Sequence, residues 1–185
     1  WHIHLCNPLK FGRISRERGF AEAARALWQK ENFDLVQSHE RIPGCDIYRA
    51  GDGVHRRWLL QRARLLPEWR RKWLFSNRYH RYVMCAERAM YAAPELKAVI
   101  CNAEMIKQEI IDDFGVPADK ITVIPNAVAA DAFHADAARD PALARSLGLD
   151  GHAVIGFIGS FYAYEGLALL LRAMPRMLAA RPALR

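Results

Sequence analysis

Strand-like segments alternate with helix-like segments along this chain, and that alternation constrains the fold more than any single motif. Strands separated by helices pair side by side with crossover connections, which defines an α/β protein with a parallel sheet. The pattern predicts strands over Trp1–Leu5, Phe33–Ser38, Cys45–Ala50, Lys97–Cys101, Lys120–Ile124 and Ala153–Ile158. A helix capped at Ser15 is expected to run to about Lys30, with Phe20, Ala24, Leu27 and Trp28 on its apolar side. Val54 to Tyr91 reads as helical with one interruption at Pro67, and Phe75, Tyr79, Tyr82, Ala86 and Met90 share a face of the second piece. Asn102 is placed to cap a helix over Ala103–Phe114, which Gly115 closes with Pro117 two residues on.

Ala127 to Asp140 is rich in Ala and Asp and lacks a periodic pattern, so it reads as a connection between domains. Beyond it come a short helix near Pro141–Leu147, the strand Ala153–Ile158, the turn Gly159-Ser160 and a helix from about Glu165 to Ala180. The expected division is residues 1–128 for a first domain, 129–151 for a linker, and 152–185 for the start of a second domain. The chain opens on Trp1 in strand-like sequence with no leader pattern, and its last helix has no strand after it, so it reads as an excerpt.

At 185 residues, 52% hydrophobic and 25% charged, the composition excludes a disordered chain and a collagen-like repeat. No apolar run approaches the roughly 18 residues that span a bilayer. Cys6, Cys45, Cys85 and Cys101 are too scattered for a zinc site, and three of them lie in apolar patterns, so free thiols in a reducing compartment are expected. The charge is local. From Arg49 to Arg88 ten arginines and one lysine face Asp52, Glu68 and Glu87, a net of +8, where the whole chain carries +7.

Three places could carry chemistry. In parallel sheets ligands gather at the carboxyl ends of the strands. His39 and Glu40 end one predicted strand, and Asp52 follows the next between two glycines. A carboxylate there can orient or deprotonate a hydroxyl; it also suits a plain turn, and His39 suits a structural histidine better than a catalytic one. Gly159 and Ser160 join a strand to a helix start, where free N–H groups attract phosphate, although a tight turn alone would ask for the same glycine. The arginine-rich helices admit a solvated basic face, a membrane-binding face in which Trp58, Trp69 and Trp73 interleave with Arg56, Arg57, Arg70, Arg71 and Lys72 and the docking cluster is Arg70, Arg71, Lys72, Arg78 and Arg81, or a nucleic-acid face for which no motif is present.

The order Ile42-Pro43-Gly44-Cys45-Asp46-Ile47-Tyr48, Asp52, Ser76-Asn77-Arg78-Tyr79-His80 and Glu87-Arg88 resembles the lipopolysaccharide core glucosyltransferases of glycosyltransferase family 4. Ala98-Val99-Ile100-Cys101-Asn102, Phe114-Gly115-Val116-Pro117, Val123-Ile124-Pro125-Asn126 and Phe157-Ile158-Gly159-Ser160 to Gly166 are similar to the wider family. The resemblance implies two facing Rossmann-like domains of the GT-B type, present here as a fragment that lacks the first strand and its glycine-rich loop. It implies an acceptor on the first domain and a nucleotide-sugar on the second. The reaction implied is sugar transfer with retention of configuration, without metal or other cofactor, to a lipopolysaccharide core or other surface glycan on the cytoplasmic face of the inner membrane. By position Asp52 matches the polar residue beside the reacting hydroxyl, and Gly159 with Ser160 matches the donor-diphosphate turn. The basic pair that family members carry before the second-domain glycine is replaced by Tyr164-Glu165, and Asn126 is followed by Ala127 where the family has glycine. The contrasting expectation is a non-catalytic module that docks on an anionic membrane or partner through its basic helices.

Overall fold

The computed structural model describes residues 2–8, 11–133, 138–162 and 165–185. Two compact units divide it, Trp1–Ala127 and Val128–Arg185.

The first unit is a four-stranded, fully parallel sheet in the order β1-β2-β3-β4: β1 (Gln37–Ser38), β2 (Ile47–Ala50), β3 (Ala98–Cys101) and β4 (Ile121–Val123). Tyr48 sits opposite Val99 and Val99 opposite Ile121, so alternate residues of neighbouring strands share a face. Tyr48, Ala50, Val99, Cys101 and Ile121 turn into one core with Val54, Met90, Tyr91, Ile106 and Ile110. Helix α1 (Gly12–Glu31) precedes the sheet; α2 (His55–Ala63), α3 (Glu68–Ser76) and α4 (Arg78–Tyr91) lie between β2 and β3; α5 (Glu104–Phe114) lies between β3 and β4.

Several expectations change. Residues 2–5 are irregular, with Ile3 and Leu5 exposed, and Trp1 lies outside the described residues. A strand-like pattern forms a strand only where an edge is offered to pair with, and the described sheet ends at β1. Phe33–Ser38 shortens to Gln37–Ser38; the backbone N–H of Val36 is taken by the Asp46 carboxylate at 2.9 Å instead. Ser15 lies inside α1, which begins at Gly12. Pro67 separates α2 from α3 as expected, but a second break falls at Asn77, whose Oδ1 accepts the N–H groups of Tyr79 and His80 at 2.9 and 3.4 Å and so caps α4. Phe75 therefore belongs to α3 and packs on the small cluster of Leu59, Ala63 and Leu74. Asn102 does not cap α5; its side chain reaches the Gly51 carbonyl just past β2. Cys85 is exposed on α4, opposite the buried Val83 and Met90, while Cys45 and Cys101 are buried; all four cysteines are free.

The second unit holds α6 (Pro141–Ser146), capped by the Asp140 carboxylate, and α7 (Leu167–Ala180). Arg139 donates to the carbonyls of His152 and Leu149, so residues from the segment expected as a linker group with this unit. In place of a strand over Ala153–Ile158, Ala153 makes a single parallel bridge to Leu184, and Ile158 is fully exposed. One short partner segment cannot extend a ladder through six residues.

Candidate functional site

Because the strands are parallel, all four carboxyl ends lie along one edge of the first unit. β1 leads to His39 and Glu40, β2 to Gly51-Asp52-Gly53, β3 to Asn102, and β4 to Pro125-Asn126. Side chains tie these ends together. Asn102 Nδ2 donates to the Gly51 carbonyl at 3.1 Å, and Arg49 Nη2 donates to Asn126 Oδ1 at 2.9 Å. A Cβ at Gly51 would stand 3.0 Å from the Arg49 guanidinium, and Gly53 has a φ of +73°, so both glycines beside Asp52 answer to local geometry. Asp52 itself is exposed.

The loop after β1 is held by Ser38, whose Oγ donates to the Glu40 carbonyl at 2.8 Å and accepts the Glu40 N–H at 3.0 Å. That pair of hydrogen bonds presents Glu40 and His39 at the surface, with His39 Nε2 3.2 Å from Gln37 Nε2. Arg41, the next residue, turns inward. Its Nε donates to Glu87 at 3.1 Å, and its cation lies within electrostatic reach of Asp52. A cavity of about 430 Å³ opens beside this loop, lined by Glu17, Phe20, Glu40, Arg41 and Tyr82 among others. Its mixture of carboxylates, the cations of Arg16 and Arg41, and ring faces suits a ligand with both hydroxyls and C–H surface.

Sequence reasoning missed Arg41 and Glu87 as site residues. The signal was present: Val83, Glu87 and Met90 fall at helical spacing on the buried stripe of α4, where a carboxylate needs a partner.

His55 Nε2 and His80 Nδ1 stand 3.1 Å apart, and the His55 ring stacks on Trp58. Burial, the Arg41 cation and His80 push His55 down to about 4, and burial with Arg62 and Arg13 lowers His80. At neutral pH the His55 ring is thus neutral in the fold, whereas in the unfolded chain it takes up a proton near 6.5, and the shift of His80 runs in the same direction. The contribution of His55 to stability is complete above that value and is lost as pH falls from about 6.5 toward 4. Burial acts on Glu87 in the opposite direction, raising its carboxyl. Urea unfolding midpoints should fall over that pH window in the parent and fall less in a His55→Gln/His80→Gln variant.

In the second unit Ser160 Oγ donates to Glu165 Oε1 at 3.0 Å, and the other Glu165 oxygen stands 2.8 Å from where a Cβ on Gly159 would lie. The Glu165 carboxylate thus fills the turn expected to receive diphosphate; Tyr164 lies outside the described residues. An anion arriving there must first displace Glu165. Glu165→Gln is expected to tighten nucleotide-sugar binding in the intact protein, read by calorimetric titration.

Arg70, Arg71, Lys72, Arg78 and Arg81 are all exposed. Arg70 lies 4.8 Å over the Trp69 ring, and Leu65, Trp69 and Trp73 follow one another at four-residue spacing, Trp69 67% and Trp73 73% exposed. Trp58 stands apart from them, engaged with His55 and with Arg62 over its ring at 5.4 Å. Among the described residues no helix is long and apolar enough to cross a membrane, and no three His, Cys, Asp or Glu side chains gather to hold a metal.

Parallel strands that send their polar residues to one edge define an α/β protein of the Rossmann-like class. The sequence profile of Glycosyltransferase Family 4 matches residues 2–132, and the chain belongs to that family. In structure it is similar to the crystal structure of WaaG, a glycosyltransferase involved in lipopolysaccharide biosynthesis, with a TM-score of 0.72 and 14% identity. The match covers 91% of this chain and 45% of that one, so the chain spans less than half of the solved relative and has the fold of a GT-B fragment. No curated protein sequence matches it significantly.

Proposed function

We propose that the intact protein transfers a sugar from a nucleotide-sugar to a lipopolysaccharide core or other surface-glycan acceptor, with retention of configuration, at the cytoplasmic face of the inner membrane. Asp52 carries this reading: an exposed carboxylate at the carboxyl end of β2, in a chain of family 4, on a turn anchored from β3 by Asn102. In the reaction the bond from the anomeric carbon to the diphosphate oxygen breaks, and a bond from that carbon to the acceptor oxygen forms. Asp52 orients the acceptor hydroxyl and receives its proton. His39 and Glu40 lie on the acceptor side, and Gly159 with Ser160 serve the diphosphate once Glu165 turns away. The nucleotide-sugar is a substrate, and the reading assigns no cofactor, metal or nucleic-acid partner. Incubation of the intact protein with UDP-glucose, GDP-mannose or ADP-heptose tests it. Nucleoside diphosphate should be released from one donor, and faster with rough lipopolysaccharide present; no release from any of them would remove the reading.

The exposed Leu65, Trp69 and Trp73 among cationic neighbours favour a second role, docking on an anionic bilayer. Each of Arg70, Arg71, Lys72, Arg78 and Arg81 would then contribute about 1 kcal/mol near the surface, with steep salt dependence. Replacing all five with Gln should release the protein from phosphatidylglycerol vesicles in a flotation assay while transfer to a soluble acceptor analogue continues. A non-catalytic docking module would instead show vesicle binding and no transfer in the parent.

A further inference from the structure

Glu87 is 1% exposed, and it sits on the stripe of α4 where an apolar residue would continue Val83 and Met90. A carboxylate is costly there unless every lone pair finds a donor. Its donors come from two other segments. Arg41 Nε, in the loop after β1, reaches Oε1 at 3.1 Å, and the backbone N–H of His55 reaches Oε1 and Oε2 at 3.3 and 3.2 Å. His55 is the first residue of α2, three residues past Asp52, and the residue at the cap position is Val54, which has no side-chain acceptor. Glu87 therefore supplies from another helix the anionic cap that α2 lacks in its own sequence. His80, two turns earlier on α4, meets the ring of the same His55 at 3.1 Å. One helix thus holds α2 at its first residue by both backbone and side chain.

We propose that Glu87 is a positioning residue for transfer: by capping α2 and pairing with Arg41, it fixes the Gly51–His55 turn that presents Asp52 and sets the His39-Glu40 loop against it. The inference rests on the transfer reading above. It separates Glu87 from an ordinary buried ion pair, whose loss would cost only stability.

The test uses the intact protein with Glu87→Gln, Arg41→Gln and the double variant. Thermal melting, amide hydrogen exchange over residues 51–55, and steady-state kinetics with UDP-glucose, GDP-mannose or ADP-heptose and rough lipopolysaccharide are measured on each. Glu87→Gln alone leaves Arg41 facing a neutral amide and lowers the melting temperature; the double variant, with two neutral amides in contact, recovers much of it. Exchange over residues 51–55 should be faster than in the parent in both Glu87→Gln and the double variant, with kcat down about tenfold to hundredfold, the size expected for a misplaced reacting group, and donor KM little changed. Recovery of kcat together with melting temperature in the double variant, or unchanged exchange in Glu87→Gln, would overturn the proposal. If the parent releases nucleoside diphosphate from none of the donors, the transfer reading fails, and with it Glu87's part in transfer; the exchange data still decide whether Glu87 holds the turn.

Discussion

Asp52→Asn in the intact protein is expected to lower turnover by about 10²- to 10⁴-fold, the usual cost of removing a group that moves or orients a proton in the transition state. Asparagine is nearly the same size and keeps one acceptor oxygen, but it cannot take the hydroxyl proton. The exposed side chain of Asp52 has no place in the core, so the melting temperature should be unchanged, with any shift in stability within about 0.5 kcal/mol. Loss of rate with intact stability is the signature sought, read from initial rates beside a melting curve. Normal turnover in the variant would leave Asp52 as a turn residue between two glycines.

The second large effect falls on stability. Ile110 is fully buried on α5, one turn from Ile106, in the core that also holds Val99 and Ile121 from β3 and β4. Alanine there leaves a cavity that a paired sheet on one side and a helix on the other close only in part. The expected loss is about 2–5 kcal/mol, read as a lower urea midpoint at unchanged slope. An exposed neighbour such as Met105 supplies the control, since truncating it should shift stability by less than about 0.5 kcal/mol.

What could be read from the sequence was whatever local chemistry decides. Helix α5 ends where Gly115 takes up a left-handed φ of +68°, as the Gly115 and Pro117 pair predicts. Strands β2 and β3 fall within their predicted spans because short apolar runs bounded by turns leave few alternatives. Misreadings occurred where a partner distant in sequence decides. Residues 2–5 and 153–158 have strand-like composition but lack, among the described residues, a sheet edge long enough to pair with. Asn77 was passed over because the apolar spacing from Phe75 to Met90 runs across it unbroken, although its capping chemistry was visible. In the site, Asp52, His39 and Glu40 stand out because exposed polar groups at strand ends are a local pattern. Arg41 and Glu87 do not, because the bond between them joins positions 46 residues apart. The basic cluster on α3 and α4 and the tryptophans among it were legible in the sequence, while the exposure of Leu65 just before α3, beside the exposed Trp69 and Trp73, emerged only once the chain was folded.

The proposed transfer adds one sugar to a surface glycan. Mass spectrometry of rough lipopolysaccharide incubated with the intact protein and a panel of nucleotide-sugars tests it most directly. A new glycolipid heavier by one sugar residue is expected, formed with one donor and formed far more slowly by the Asp52→Asn variant. A glycolipid whose mass is unchanged with every donor, from a protein that still binds phosphatidylglycerol vesicles, would contradict it and leave the docking module in its place.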